Sequence, residues 1–286
     1  MSPLAFVLII ISAFMHATWN YFAKRSEGGF AFVWLYMAVS AVIYAPLVVG
    51  LLIFQDLSLG WPEVGFIVGS TVIHLAYSLT LQKGYKIGDL SLVYPVARGT
   101  GPMLATIAAV FIYDEHLSII GLIGIIFIVL SVFTLTGGLQ VLKQSASVMP
   151  LVYGIMVGVM IAGYTLLDKG AVSVLLIPPL LLIYGSILGQ LIVLTPLARN
   201  HWKEVRYEWQ NHRKEALGVG ILNPLAYILV LIAMVFTPVS HVAPVREISI
   251  LFGTVMGTRL LAEGFGLRRI AAAGVMVVGV IMVALS

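Results

Sequence analysis

Leu90-Ser91-Leu92-Val93-Tyr94-Pro95-Val96-Ala97-Arg98-Gly99-Thr100-Gly101-Pro102 lies inside an apolar run that continues to Tyr113. Arg98 stands about midway along the run, flanked by two prolines and two glycines. At the centre of a bilayer an arginine costs roughly 2.5–3.5 kcal/mol on insertion scales. Proline and glycine in such a segment weaken the helix and free backbone groups that only protein or water can satisfy. The stretch therefore predicts a membrane helix that faces an interior cavity and not lipid. The remaining segments read as the walls of that cavity.

Composition supports a membrane setting. Of 286 residues, 60% are hydrophobic and 10% charged, with a mean hydropathy of +1.07. Soluble domains carry roughly 25% charged residues. The chain has no cysteine, which excludes disulfides and thiolate metal sites. Its net charge of +4 reads through loop placement and gives no signal for nucleic acid. Met1 leads directly into an apolar run without a basic n-region, so the first segment is expected to be a membrane helix and not a cleaved signal.

A span needs about 20 mostly apolar residues. Ten segments qualify: 3–22, 30–54, 63–82, 90–112, 117–137, 149–167, 173–198, 215–236, 241–260 and 267–285. The fold class is thus an all-α polytopic membrane protein with ten transmembrane helices. The connection 199–214 reads as the one clearly hydrophilic loop. Thirteen of the sixteen Lys and Arg residues sort to odd-numbered connections, and only Lys169 sorts to the even ones and the tails. Arg98 and Arg246 fall inside spans. The positive-inside rule then places the odd connections in the cytoplasm and both termini outside.

The two halves resemble each other. Ala17-Thr-Trp-Asn-Tyr-Phe-Ala-Lys24 lies over Ala162-Gly-Tyr-Thr-Leu-Leu-Asp-Lys169. Leu75-Ala76-Tyr77 recurs as Leu225-Ala226-Tyr227, and Tyr94-Pro95-Val96 as Ala243-Pro244-Val245. Glu115 matches Glu263. The expected organisation is a first five-helix repeat over 1–137, a linker over 138–148 and a second repeat over 149–286. An odd number of spans per unit makes the second copy enter the membrane from the opposite side, so the repeats are inverted around a central cavity. Inverted repeats are frequent in secondary transporters.

These residues resemble a ten-helix EamA-type member of the drug/metabolite transporter superfamily. The matching pieces are His16-Ala-Thr-Trp-Asn20 with Lys24, Gly88 to Gly99, Ala162 to Asp168, Arg246-Glu-Ile-Ser-Ile-Leu-Phe252, and the paired Glu115 and Glu263. The resemblance implies an inner-membrane carrier, often an exporter of amino acids or other small metabolites. Many members of that superfamily keep both termini in the cytoplasm, whereas the charges here predict the reverse.

Polar stripes at helical spacing supply the candidate site. The first span offers His16, Trp19 and Asn20, and the third offers His74 and Tyr77 beside Ser70 and Ser78. The fourth offers Tyr94 and Arg98, the sixth Tyr164 and Asp168, the eighth Asn223 and Tyr227, and the ninth Arg246 and Glu247. All thirteen are read as substrate-binding candidates. Plainer roles compete: a belt position for Trp19, helix-packing hydrogen bonds for His16 and His74, ordinary packing for Tyr77 and Tyr227. Asp168 and Lys169 could be a solvated pair at the mouth. Glu115 and Glu263 read as structural caps or interfacial groups. Spans 5 and 10, apolar with small residues, read as buttress or partner-facing helices.

Superposing Pro95 on Pro244 sets Arg98 opposite Glu247, while Arg246, about 100° around an ideal helix, would point elsewhere. An Arg–Glu pair at the midplane offsets both burial costs and offers both halves of a receptor for a zwitterion. The expected function is secondary transport, as an exporter, of an amino-acid-like zwitterion or an organic anion across the cytoplasmic membrane. The alternative is an intramembrane enzyme acting on a lipid or headgroup. Against enzymes, the chain has no His-Glu-x-x-His, Gly-x-Ser-x-Gly or phosphate loop. No cofactor or metal site is expected. The expected partners are a small-molecule substrate, membrane lipid and a coupling proton that Glu247, Asp168 or a histidine could carry; no nucleic acid is expected, and one copy suffices for the site.

Overall fold

A computed structural model describes residues 1–26, 29–55, 59–87, 90–135, 148–261 and 267–286. Side chains at 24, 82, 84–87, 90–95, 254, 257–261 and 267–269 are outside that description. The described residues are helical almost throughout, as expected for a chain whose backbone groups must bond within their own segment. The elements are α1 Pro3–Arg25, α2 Phe30–Phe54, α3 Trp61–Ile87, α4 Leu90–Ile112, α5 Ile119–Leu135, α6 Met149–Ser173, α7 Pro179–Asn200, α8 Trp202–Asn211, α9 Arg213–Phe236, α10 Val239–Val245, α11 Ile248–Leu261 and α12 Leu267–Leu285. Six of them, α1, α2, α3, α6, α7 and α9, are long and apolar enough to cross a membrane, and shorter apolar helices occupy α4, α5 and α12. The chain is an all-α, multi-pass membrane protein.

Local chemistry sets several boundaries. Ser2 caps α1, its hydroxyl accepting from the Ala5 amide at 3.2 Å, and Pro3 occupies the first turn where its missing N–H costs nothing. Pro224 inside α9 cannot donate to the Gly220 carbonyl. Ser40 of α2 donates to that carbonyl instead, at 2.8 Å, and Tyr44 donates to Ile221 O at 2.6 Å. A proline defect in one helix is thus satisfied by its neighbour.

The packing pairs exchange between halves. α3 lies on α6 as α9 lies on α1; α2 lies on α9 as α7 lies on α3; α4 lies on α6 as α11 lies on α1. α2 meets α7, and α5 meets α12. The α5–α12 crossing is close: a Cβ on Gly124 would sit 2.7 Å from Gly279 O, and one on Gly279 would sit 2.7 Å from Gly124 O. Only glycine allows backbones that near.

Four expectations need correction. The ninth span is not one helix: it divides into α10 and α11, with Arg246 and Glu247 in the turn between them. Pro244 removes a donor there, and the turn closes by short-range bonds such as Glu247 N to Pro244 O at 3.0 Å. Conversely, α4 stays continuous past Pro95 and Pro102. Its Gly101 serves close packing: a Cβ there would lie 2.8 Å from Ile161 Cγ2, and one on Gly158 of α6 would lie 3.2 Å from Gly101 N. The stretch 199–214 contains the amphipathic helix α8, in which Val205 is buried and Trp202 meets Trp34 at 5.7 Å. Finally, α6 runs through Asp168 and Lys169 to Ser173, so that pair is buried in a helix and is not solvated at a mouth. The linker expected over 138–148 lies, except for Val148, outside the described residues, as does Glu263.

Candidate functional site

The centre forms where α4 passes the α10–α11 break. Arg98 Nε stands 2.9 Å from Glu247 Oε2, and Arg98 Nη2 donates to Ser249 Oγ at 3.0 Å. Arg98, Glu247 and Ser249 are all buried. The pairing of the fourth and ninth segments therefore joins the two residues that the proline superposition set opposite each other. The 2.9 Å contact is an ion contact and not an in-line hydrogen bond, and Glu247 Oε1 has no hydrogen-bond partner among the described residues. Sequence reasoning missed Ser249. Its signal was faint, a single hydroxyl two residues beyond Glu247 in an apolar run.

Arg246 does not point elsewhere. Its backbone is still helical, with its N–H bonded to Val242 O at 3.1 Å, and the ladder tightens only after it, where Glu247 N bonds to Pro244 O at 3.0 Å. It is 5% exposed, and its Nε and Nη2 have no hydrogen-bond partner among the described residues. It lies within electrostatic reach of Glu247, of His16 and of Tyr227. Arg98 is likewise within reach of His16. Both guanidinium groups thus lie within electrostatic reach of one carboxylate and of an imidazole from α1.

A second cluster adjoins the first. Asp168 on α6 is fully buried. Its Oδ2 accepts from Tyr227 OH on α9 at 2.8 Å and meets His74 Nε2 on α3 at 3.1 Å. His74 stacks on Tyr164 with ring centroids 4.3 Å apart, and Tyr227 stands edge-on to both, at 5.6 Å and 5.9 Å. Tyr77 stands edge-on to Tyr164 at 5.7 Å. Asp168 Oδ1 and the hydroxyl of Thr165, one turn earlier on α6, have no hydrogen-bond partner among the described residues. The cluster offers aromatic faces and edges around one carboxylate, an arrangement suited to an organic cation or a ring. Tyr227 joins the clusters, since Asp168 and Arg246 both lie within its electrostatic reach.

The other candidates sit around this core. His16 and Trp19 are edge-on at 4.9 Å, and Asn20 Nδ2 donates back to His16 O at 2.6 Å. Trp19 is half-buried against the Phe32–Leu35–Val205 cluster, and its buried Nε1 has no partner among the described residues. Asn223 is half-buried one turn before Tyr227 on α9. Tyr94 belongs to α4, but its side chain lies outside the described set.

Two buried charges serve the frame. Glu115 accepts from Val239 N at 2.7 Å and Ser240 N at 2.8 Å, capping α10 from the first half of the chain. Lys169 donates to Met234 O and to Thr237 O at the end of α9. Together they clasp the α9–α10 corner. Among the described residues no cluster of three or more His, Asp or Glu side chains could hold a metal. An open groove of about 580 Å³ runs along α7 from Leu188 to Asn200 and shares no residue with either cluster.

Residues 148–285 match the model of the EamA-like transporter family. No curated protein matches the chain. One solved crystal structure superposes with a TM-score of 0.78, covering 98% of each chain at 16% identity. At that identity the likeness shows a shared fold and nothing finer.

Proposed function

We propose that this EamA-type membrane protein, whose family domain spans residues 148–285, is a secondary transporter that exports a small polar metabolite across the cytoplasmic membrane. The substrate is an amino-acid-like zwitterion or an organic anion. It binds between Arg98, Arg246 and Glu247 on one side and Asp168 with its tyrosines on the other. His16, Trp19, Asn20 and Asn223 complete the lining, and Tyr94 belongs to the same wall by its place on α4.

One observation carries this reading. Buried polar atoms of both signs have no protein partner among the described residues: Nε and Nη2 of Arg246, Oε1 of Glu247 and Oδ1 of Asp168. A buried donor or acceptor left unmatched costs about 1–3 kcal/mol, and more when charged. A protein that keeps several together at membrane depth gains from a ligand that matches them. The exchanging helix pairs, with the broken α10–α11 segment at the centre, support an inverted repeat working by alternating access. Asp168, Glu247 and the histidines are the groups that could carry a coupling proton.

The test is flux. Proteoliposomes holding the purified protein are loaded with a mixture of amino acids, organic acids and amines, and the retained solutes are measured by mass spectrometry. Selective, protein-dependent loss of carboxylate-bearing solutes is expected. No solute loss, together with covalent turnover of the vesicle lipid, would replace transport by the lipid-enzyme alternative.

A further inference from the structure

We propose that Arg246, and not Arg98, is the receptor for the substrate's carboxylate, and that Arg98 is a positioning residue. The assignment rests on the transport reading above and refines it to a substrate that must carry a carboxylate.

The argument compares two guanidinium edges. Nε–H and one Nη–H of an arginine point the same way and form a fork that matches the two oxygens of a carboxylate. In Arg98 that edge already faces protein groups: Nη2 donates to Ser249 Oγ at 3.0 Å, and Nε makes an ion contact, though no in-line hydrogen bond, with Glu247 Oε2 at 2.9 Å. In Arg246 the same two atoms, Nε and Nη2, are the ones without a protein partner among the described residues. The Arg246 side chain is nonetheless buried. A buried arginine normally finds partners within the fold. Arg98 and Arg246 both lie within reach of Glu247, and His16 and Tyr227 also lie within reach of Arg246. An added carboxylate would supply the two acceptors that the Arg246 fork lacks.

Arg246 sits at the C-terminal cap of α10, where the helix ladder tightens from the Arg246 N–Val242 O bond to the Glu247 N–Pro244 O bond. A hinge at that turn would move Arg246 and Glu247 together, carrying substrate receptor and counter-charge as a unit.

The test uses purified full-length protein and thermal stabilisation by acetate, glycine, methylammonium and inorganic phosphate at constant ionic strength, since a ligand of the folded state raises its apparent stability. Acetate and glycine should stabilise the wild type, and methylammonium should not. Arg246→Gln and Arg246→Lys should weaken carboxylate binding about tenfold or more. Arg246→Gln should also melt no lower than the wild type without ligand, because it removes a buried charge that the fold leaves unmatched. Arg98→Lys should keep carboxylate binding within about threefold while lowering the melting temperature, which marks a positioning role. Carboxylate binding that survives in Arg246→Gln but is lost in Arg98→Lys would overturn the assignment. So would stabilisation by phosphate alone, or by none of the four probes. The inference and the transport reading separate in vesicles. Wild-type flux of a carboxylate that is unchanged in Arg246→Gln sinks the inference alone. Arg246-dependent binding without flux sinks transport alone.

Discussion

At the scale of single residues, the balance at the centre decides what each charge does. Arg98 and Glu247 are buried together at 2.9 Å. Removing one member of a buried pair leaves the other uncompensated, at about 3–5 kcal/mol. Arg98→Ala should therefore reduce both folded yield and flux, read by size-exclusion recovery and by vesicle loss of solute. Arg98→Lys restores the charge and should recover most of the folded yield. If Arg98→Ala folds as well as the wild type, the pair is not holding α4 to the α10–α11 turn. Much of this was legible in the sequence, because a lone arginine in an apolar run has few explanations. The direction of Arg246 was not legible. The sequence treats Arg246 and Glu247 as neighbours on one regular helix, whereas the helix ladder tightens between them after Pro244. Asp168 stood among the candidates, but the sixth span was ended before it, so its burial against His74 and Tyr227 could not be foreseen.

At the scale of elements, glycines set how closely helices approach. α5 and α12 cross with backbone against backbone at Gly124 and Gly279. Gly124→Ala puts a methyl group 2.7 Å from Gly279 O, and a backbone carbonyl cannot swing aside as a side chain can. The two helices must separate, at a cost of about 1–3 kcal/mol. Gly99→Ala is the control, since a Cβ there meets nothing within 4 Å. Thermal melts of the two variants should differ by several degrees, with Gly99→Ala close to the wild type, and equal melting would contradict the crossing. The small residues of spans 5 and 10 pointed to close helix packing, and Gly124 and Gly279 are where the two backbones approach. The helix α8 was hidden by its polarity. Trp202, Val205 and Trp209 share one face only once the stretch is taken as helical, and a hydropathy window averages that face away.

At the scale of the whole molecule, composition made the membrane class plain, and the clustering of Lys and Arg in alternate connections predicts its orientation. The chain has no cysteine, so single labels are clean. A cysteine at Asn211 on α8 should be protected from an impermeant thiol reagent in intact cells, and one at Val174 between α6 and α7 should react. The reverse pattern would invert the topology. Which solute moves was not legible, because recognition depends on a few atoms whose pairing only three dimensions reveal, such as the fork of Arg246 and Oδ1 of Asp168. The measurement that bears most directly on transport by alternating access is counterflow. Vesicles are preloaded with the unlabelled form of the carboxylate solute they lose fastest, diluted, and given a trace of the labelled form outside. A carrier drives transient uptake of label above its equilibrium level, with Arg98→Ala abolishing the overshoot. Label that rises only to equilibrium, or never enters at all, would contradict transport by alternating access around the Arg98–Glu247 centre.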